Sequence, residues 1–290
     1  MELLQLQYFR TVARLEHMTR AAQELRIAQP ALSKTIARLE EDVGVPLFDR
    51  QSGRIRLNAF GRTFLHKVET ALNLLEEAKR EVAELAGLEQ GSIRLVTSTM
   101  TSLVEPIREF LERHPNVDMQ ITHAASMDEL AASIDSGEAD IGFSVMPIDR
   151  EGVEQSRVLG EELYLVVPRK HRLAGRSAVR LADAAGEPFI GYKEGFIFQD
   201  VNDALFRQAG ISPRFVCRVD EPAAILSLVR AGLGVALLPR SVVAYSPPPG
   251  TKAIPLADAS LSSEVGILWL KDRYLSRSAR LFIDSFREGI

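Results

Sequence analysis

Apolar residues in the first 58 positions recur at helical spacing and then pass into a short alternating stretch. Leu6, Phe9, Val12 and Ala13 mark a first helix. A second is predicted from about Thr19 to Leu25, with Thr19 as its N-cap, and a third from Pro30 to about Glu41. Residues 48–50 and 54–57 read as two strands around a turn at Gln51-Ser52-Gly53. Residues 59–87 contain no proline and read as one long helix that stops at Gly87. Within it Phe64, Val68, Ala71, Leu75, Ala78, Val82 and Leu85 are separated by 4, 3, 4, 3, 4 and 3 residues. Such an a/d seam packs either on its own domain or on a second chain, and its regularity favours pairing between chains.

From Gly91 onward the pattern becomes an alternation of strands and helices. Strands are predicted at 93–96, 117–122 and 139–143, with helices at 102–113 and 128–136 between them. A further apolar strand covers 163–167. A second series follows, with strands at 188–190, 215–219 and 235–238 and helices at 198–209 and 222–231. A strand at 264–269 and a helix near 276–287 close the chain. Alternation of this kind gives parallel α/β layers, and two series predict two lobes with a cleft between them.

With 290 residues the chain is long enough for more than one core, and 46% apolar with 26% charged residues is an ordinary globular composition. No apolar run approaches the ~20 residues of a membrane span, and no basic segment followed by an apolar one opens the chain. Cys217 stands alone, which excludes an intrachain disulfide and a cysteine metal cluster. A cytoplasmic protein without membrane attachment, metal or cofactor is expected. The net charge of -4 argues against a polyanionic partner only if charge is spread evenly. It is not: Arg50, Arg54, Arg56, Arg62 and Lys67 follow one another with no Asp or Glu from 50 to 67.

That basic stretch adjoins the second and third helices. Small Ala21 and Ala22 permit a close helix crossing, and Pro30 suits the first position of the third helix. Leu32, Ile36 and Leu39 turn inward, which leaves Pro30, Lys34, Ala37 and Arg38, flanked by Gln29 and Ser33, on the opposite face. Short or cationic groups on a helix fit a DNA major groove. Arg20 and Gln23 are placed to hold the phosphate backbone. Phe9, Ala21-Ala22, Leu25, Gln29-Pro30-Ala31-Leu32-Ser33, Ile36, Leu39-Glu40, Gly44, Leu47-Phe48, Arg50 and Gly61 stand in one register. On these residues, positions 3–61 resemble the DNA-binding region of LysR-type transcriptional regulators. One departure is Asn58, where the family usually carries Thr.

The resemblance extends to the layout of the whole chain. It implies an α/β protein with an N-terminal all-α winged helix-turn-helix (1–58), a linker and dimerisation helix (59–87), and an effector-binding domain (91–290) of two periplasmic-binding-protein-like lobes. Lobe 1 is expected at about 91–161 and 267–290, lobe 2 at about 162–266. By the same resemblance Gln29, Pro30, Ser33 and Lys34 contact bases or phosphates, and Arg50, Arg54 and Arg56 belong to the wing. The implied partners are a double-stranded DNA operator, a small-molecule effector, RNA polymerase, and copies of the chain in a homodimer or homotetramer.

The effector lobes show no sharp motif. Open α/β layers bind ligands beyond the carboxyl ends of strands. There Thr97-Ser98-Thr99-Met100-Thr101-Ser102 offers five hydroxyls, suited to a carboxylate or phosphate or simply to helix capping. Ser126 occupies the matching place after the second strand, and Ser144 follows the third. Lys193, in Gly191-Tyr192-Lys193-Glu194-Gly195-Phe196, is either a cation facing the cleft or a surface lysine. Ser98, Thr99, Thr101, Ser126 and Lys193 are therefore the effector candidates, with an anionic metabolite as the expected ligand. An enzyme is not indicated, because His17, His66, His114, His123 and His171 are scattered and no nucleophile motif adjoins them. Gly232-Leu233-Gly234 begins like a dinucleotide fingerprint but precedes a strand, as a glycine-permitted turn does.

Overall fold

The computed structural model describes residues 1–51, 54–87, 91–245, 249–257 and 262–287, and the side chains of 51, 54, 157–159, 245 and 262–264 are not among the described ones. The turn at Ser52-Gly53 and the side chain of Arg54 thus lie outside the described residues. The chain forms two compact units, Met1–Gly87 with Asp135–Glu138, and Leu88–Ile134 with Ala139–Ile290.

The first unit contains helices α1 (Leu3–Leu15), α2 (Met18–Glu24) and α3 (Gln29–Val43), the hairpin β1 (Phe48–Gln51) and β2 (Arg54–Leu57), and the long helix α4 (Ala59–Leu85). Its core is the predicted inward set. Phe9, Val12, Ala21, Leu32, Ile36, Leu39 and Leu47 are fully buried, each large side chain contributing about 1.5–3 kcal/mol. The N-cap of α2 differs from the expectation. His17 caps the helix by accepting the Arg20 N–H at its Nδ1, so Thr19 lies within the first turn. Asn58 caps α4 by accepting from Gly61 N at 2.8 Å.

The predicted seam of α4 divides in two. Phe64 stacks against Phe9 at 5.3 Å, and Val68 is buried in the same core together with Leu72, which the seam did not include. Ala71, Leu75, Ala78, Val82 and Leu85 are exposed. Two of the seven seam residues thus serve their own domain and five remain uncovered by it.

The second unit begins with β3 (Ser92–Thr97), α5 (Val104–Arg113), β4 (Asp118–His123), α6 (Met127–Ser136), β5 (Ile141–Ser144) and β6 (Val153–Pro168). A short 3-10 turn (Leu181–Ala184) leads to β7 (Pro188–Tyr192), α7 (Ile197–Gln208), β8 (Arg214–Val219), α8 (Pro222–Arg230) and β9 (Ala236–Pro239). Helix α9 (Arg240–Tyr245), strands β10 (Thr251–Pro255) and β11 (Ser262–Leu270), and α10 (Arg277–Arg287) complete it. Strand β3 lies parallel between β4 and β5, and β11 joins antiparallel to β5 and β6. The pairing of β6 changes along its length. Residues 153–162 pair with β11, whereas 163–168 lie between β9 and β10. One continuous strand therefore runs from the first sheet into the second, beside which β7 and β8 pair in parallel and β7 bridges to Val235. No helix among the described residues is long and apolar enough to cross a membrane.

Candidate nucleic-acid interface and ligand site

Helix α3 starts with Pro at its N-terminal turn and ends at Gly44 in a left-handed conformation. Burial of Leu32, Ile36 and Leu39 at helical spacing rotates Gln29, Pro30, Lys34 and Arg38 to the outside, with Ser33 half-buried beside them. Arg20 and Gln23 are exposed on α2. The turn between the helices is closed by Ile27 N–H donating to the Ala22 carbonyl, with Arg26 in the left-handed region at φ 56°. That conformation costs a non-glycine residue about 1 kcal/mol. It is held because the turn satisfies the last carbonyls of α2.

The hairpin is fixed to this helix pair by side chains for which the sequence reading assigned no such contact. The Glu40 Oε1 atom accepts from Leu47 N (2.8 Å) and Phe48 N (3.2 Å), while its Oε2 receives Arg50 at 3.1 Å. Glu16 accepts from Leu57 N at 2.9 Å, and Asn58 Nδ2 donates to the Pro46 carbonyl at 2.8 Å. Gly61 meets the hairpin at very short range, since a Cβ there would lie 2.1 Å from the Leu47 carbonyl oxygen. Arg56 is exposed on β2. Among the described residues Arg20, Lys34, Arg38 and Arg56 form no ion pair, whereas Arg50 is shared with Glu40. In a chain of net charge -4, this gathers exposed cations on α2, α3 and β2, although the Asp42 carboxyl is held below its ordinary range by the N-terminus and also by Arg38.

In the second unit, the loop after β3 carries its hydroxyls into a connected chain. The Thr97 Oγ1–H donates to the Thr99 carbonyl at 2.7 Å and Oγ1 accepts Thr99 N–H at 3.0 Å, which tightens the turn. Thr99 Oγ1 lies 3.2 Å from Thr101 Oγ1, which lies 3.0 Å from Ser241 Oγ at the start of α9. Ser102 donates to Glu161 Oε2 at 2.8 Å, and Ser241 N donates to Glu161 Oε1 at 3.1 Å. Ser98 is 3% exposed, and its hydroxyl has no partner among the described residues. The backbone N–H groups of Thr101 and Ser102 meet no acceptor among the described residues. Between the loop after β4 and α7, Ile197 N–H donates to the Ala125 carbonyl at 3.1 Å.

Comparison with known proteins supplies the family. Residues 3–62 match the family described as bacterial regulatory helix-turn-helix protein, lysR family, and residues 86–290 match the LysR substrate binding domain. The HTH-type transcriptional regulator YybE of Bacillus subtilis (strain 168) is 36% identical over 285 residues, 97% of each chain. The transcriptional dual regulator GltC of the same organism is 33% identical, over 98% of this chain and 96% of its own. The chain belongs to the LysR family of transcriptional regulators. It is a DNA-binding regulator with an effector-binding domain rather than an enzyme. The crystal structure of full-length CbnR complexed with its target DNA is similar over 100% of both chains, at 28% identity and a TM-score of 0.80.

Within this LysR-family framework the candidate residues fall into groups. Gln29, Pro30, Ser33, Lys34 and Arg38 share α3, and Arg20 and Gln23 flank them. Ser98, Thr99 and Thr101 gather at one junction. Ser126 is not part of that hydroxyl chain and caps α6 by accepting Glu129 N–H at 3.2 Å. Lys193 is exposed and paired with Asp220 at 2.6 Å, which holds the Asp220 carboxyl below its ordinary range. The Gly232 turn, at φ 81°, connects α8 to β9, and a Cβ on Gly234 would meet the Pro188 carbonyl oxygen at 2.4 Å. Packing, rather than a phosphate, accounts for that glycine pair. Glu161, Tyr192 and Ser241 were not singled out by sequence. Counting back by twos from buried Leu165 and Leu163 places Glu161 on the inward side of β6, and that signal was available.

Proposed function

We propose that this regulator binds an operator as a homodimer joined through the distal half of α4, and that a carboxylate-bearing metabolite at the Ser98–Thr101 loop sets its activity. The observation that carries the DNA reading is the set of exposed cations Arg20, Lys34, Arg38 and Arg56 on α2, α3 and β2. Gln29, Pro30 and Ser33 meet base edges, Arg38 lies along the groove, and Arg20, Gln23, Lys34, Arg50, Arg54 and Arg56 hold phosphates. Dimerisation is supported by the exposed Leu75, Val82 and Leu85 and by a groove of about 460 Å³ between α1 and α4, lined by Leu3, Leu72, Leu75 and Val82. Two winged helices on such a dimer match half-sites one or more DNA turns apart, about 34–36 Å per turn. The free N–H groups of Thr101 and Ser102 and the Ser98 hydroxyl support a carboxylate at the sensor junction. Lys193 contributes there only after leaving Asp220. A homotetramer, two such dimers joined through sensor domains, is the assembly expected of the full-length protein.

Lys34→Ala is expected to weaken operator binding and to lower the slope of log K against log salt by about 1, because one phosphate contact is lost. Titrations of a labelled operator at several salt concentrations measure this, and an unchanged slope removes Lys34 from the phosphate contacts. Failure of the native protein to prefer any duplex over random sequence would overturn the whole reading. Ser98→Ala combined with Thr99→Val is expected to abolish the metabolite-dependent change in the DNase footprint while leaving operator affinity within about 2-fold, since neither residue lies in the DNA-binding unit. A footprint response that survives both changes places the effector elsewhere.

A further inference from the structure

The hydroxyl junction ends on a charge of the opposite kind from the one expected there. Glu161 is 8% exposed on β6, at the place where that strand passes from one sheet to the other. Its oxygens receive one hydrogen bond each, from Ser102 and from Ser241 N, and no cation pairs with it among the described residues. Two donors fill about half of the lone-pair sites of a carboxylate. A buried carboxylate without a counter-charge is an unfavourable arrangement that a bound cation relieves. The nearby arginine, Arg240, pairs instead with exposed Glu162 at 3.3 Å.

A second group nearby is also incomplete. Tyr192, the last residue of β7, is 2% exposed and stacks on Phe198 at 5.6 Å, yet its hydroxyl has no partner among the described residues. Burial and the Glu161 charge both push the phenol upward, so it stays neutral and Glu161 is within electrostatic reach. The Tyr192 and Ser98 hydroxyls are thus buried and unmet among the described residues, and Glu161 keeps lone pairs to spare beside its two hydrogen bonds. Buried polar atoms of this kind are normally satisfied, and each of these groups can take a further partner.

We infer that the effector of this regulator carries an ammonium group that sits against Glu161 and the Tyr192 hydroxyl. The assignment rests on the reading of this junction as the effector site. With the carboxylate placed on the Ser98–Ser102 loop, it makes the effector class a small zwitterion of amino-acid type. An ammonium donates three hydrogen bonds, to the free lone pairs of Glu161 and to the phenol oxygen, and supplies the missing counter-charge. A neutral alcohol fits the hydrogen bonds but not the charge, and a plain dicarboxylate sets like charges together.

The test is a thermal-shift panel on the full-length protein. The probes are the proteinogenic amino acids, each paired with the 2-hydroxy acid that lacks the amine, at concentrations up to about 50 mM, so that a millimolar Kd is seen by mass action. At least one amino acid is expected to raise Tm by about 3 °C while its hydroxy-acid partner does not. Glu161→Gln is expected to abolish that shift. Tyr192→Phe deletes a hydroxyl that no neighbour uses, so it folds as the native chain does, and it is expected to weaken the same amino acid about 5–10-fold. If no amine shifts the native protein more than it shifts Glu161→Gln, the ammonium assignment is wrong. A hydroxy acid that shifts Tm through Ser98 and Thr99 but not Glu161 keeps the effector site and overturns the ammonium. An amino acid that binds through Glu161 without altering the operator footprint keeps the ammonium site and overturns the effector reading.

Discussion

Replacing Leu75 and Val82 together with glutamate is expected to halve the mass of the assembly in solution while leaving each chain folded. Both side chains are largely exposed in the single chain, Val82 at 65%, so charges there meet water and cost little intrachain stability. In a helix pair the same positions are the a/d seam, and four glutamates would face one another in a low-dielectric strip. Operator affinity falls with the dimer. Two tethered winged helices gain about 10²–10⁴-fold over one through effective concentration, and the variant forfeits that factor. Sedimentation and operator titration on the same sample check both consequences. A variant of unchanged mass would move the dimer contact off α4.

The second large effect is expected at Gly61. A Cβ at that position would lie 2.1 Å from the Leu47 carbonyl oxygen and 2.6 Å from Leu57 Cδ2. The carbonyl has no freedom to withdraw, because it accepts the Asn58 N–H at 3.1 Å and Asn58 itself caps α4. Gly61→Ala therefore has to push α4 away from the hairpin, an overpacking cost of about 3 kcal/mol. For a unit of this size that lowers Tm by about 10–20 °C. Scanning calorimetry should show the loss in the transition of the DNA-binding unit. Gly186→Ala, which has nothing within 4 Å and no left-handed backbone, serves as a control expected to move Tm little. Equal behaviour of the two variants would mean that the close approach is not rigid.

The DNA-binding half was largely legible in the amino-acid order, because its signals are local. Alternation of Leu32, Ile36 and Leu39 with Lys34 and Arg38 sets the faces of α3 without reference to anything distant. The cap of α2 was misplaced by two residues. A hydroxyl at Thr19 is the commoner signal, and His17 takes the role only through the orientation of its ring nitrogen. The roles of Glu40 and Glu16 in holding the hairpin were not legible, since the N–H groups they accept from lie 7 to 41 residues away in the chain.

The sensor half was legible as layers but not as a site. Residues 153–162 of β6 pair on one side only, with β11, and their polar character hid the strand. Residues 163–168, held between β9 and β10, show the apolar run that periodicity detects. Strand β10 lies at the sheet edge with Ile254 as its only buried residue, and α9 is too short to display a period. The Glu161-Glu162 pair looks like an exposed acidic step. Its first member is buried only because the strand alternates and β6 passes between two sheets there, which a linear reading does not contain.

One carboxylate ties the parts of the winged helix together. Glu40 belongs to α3, yet it fastens the backbone of Leu47 and Phe48 and one arginine of the wing. On the DNA-binding reading proposed above, helix and wing would seat on a duplex as a single tool, so that a misfit under the helix would also be felt at the wing, and Arg50, shared with Glu40, would offer the duplex less than a free charge.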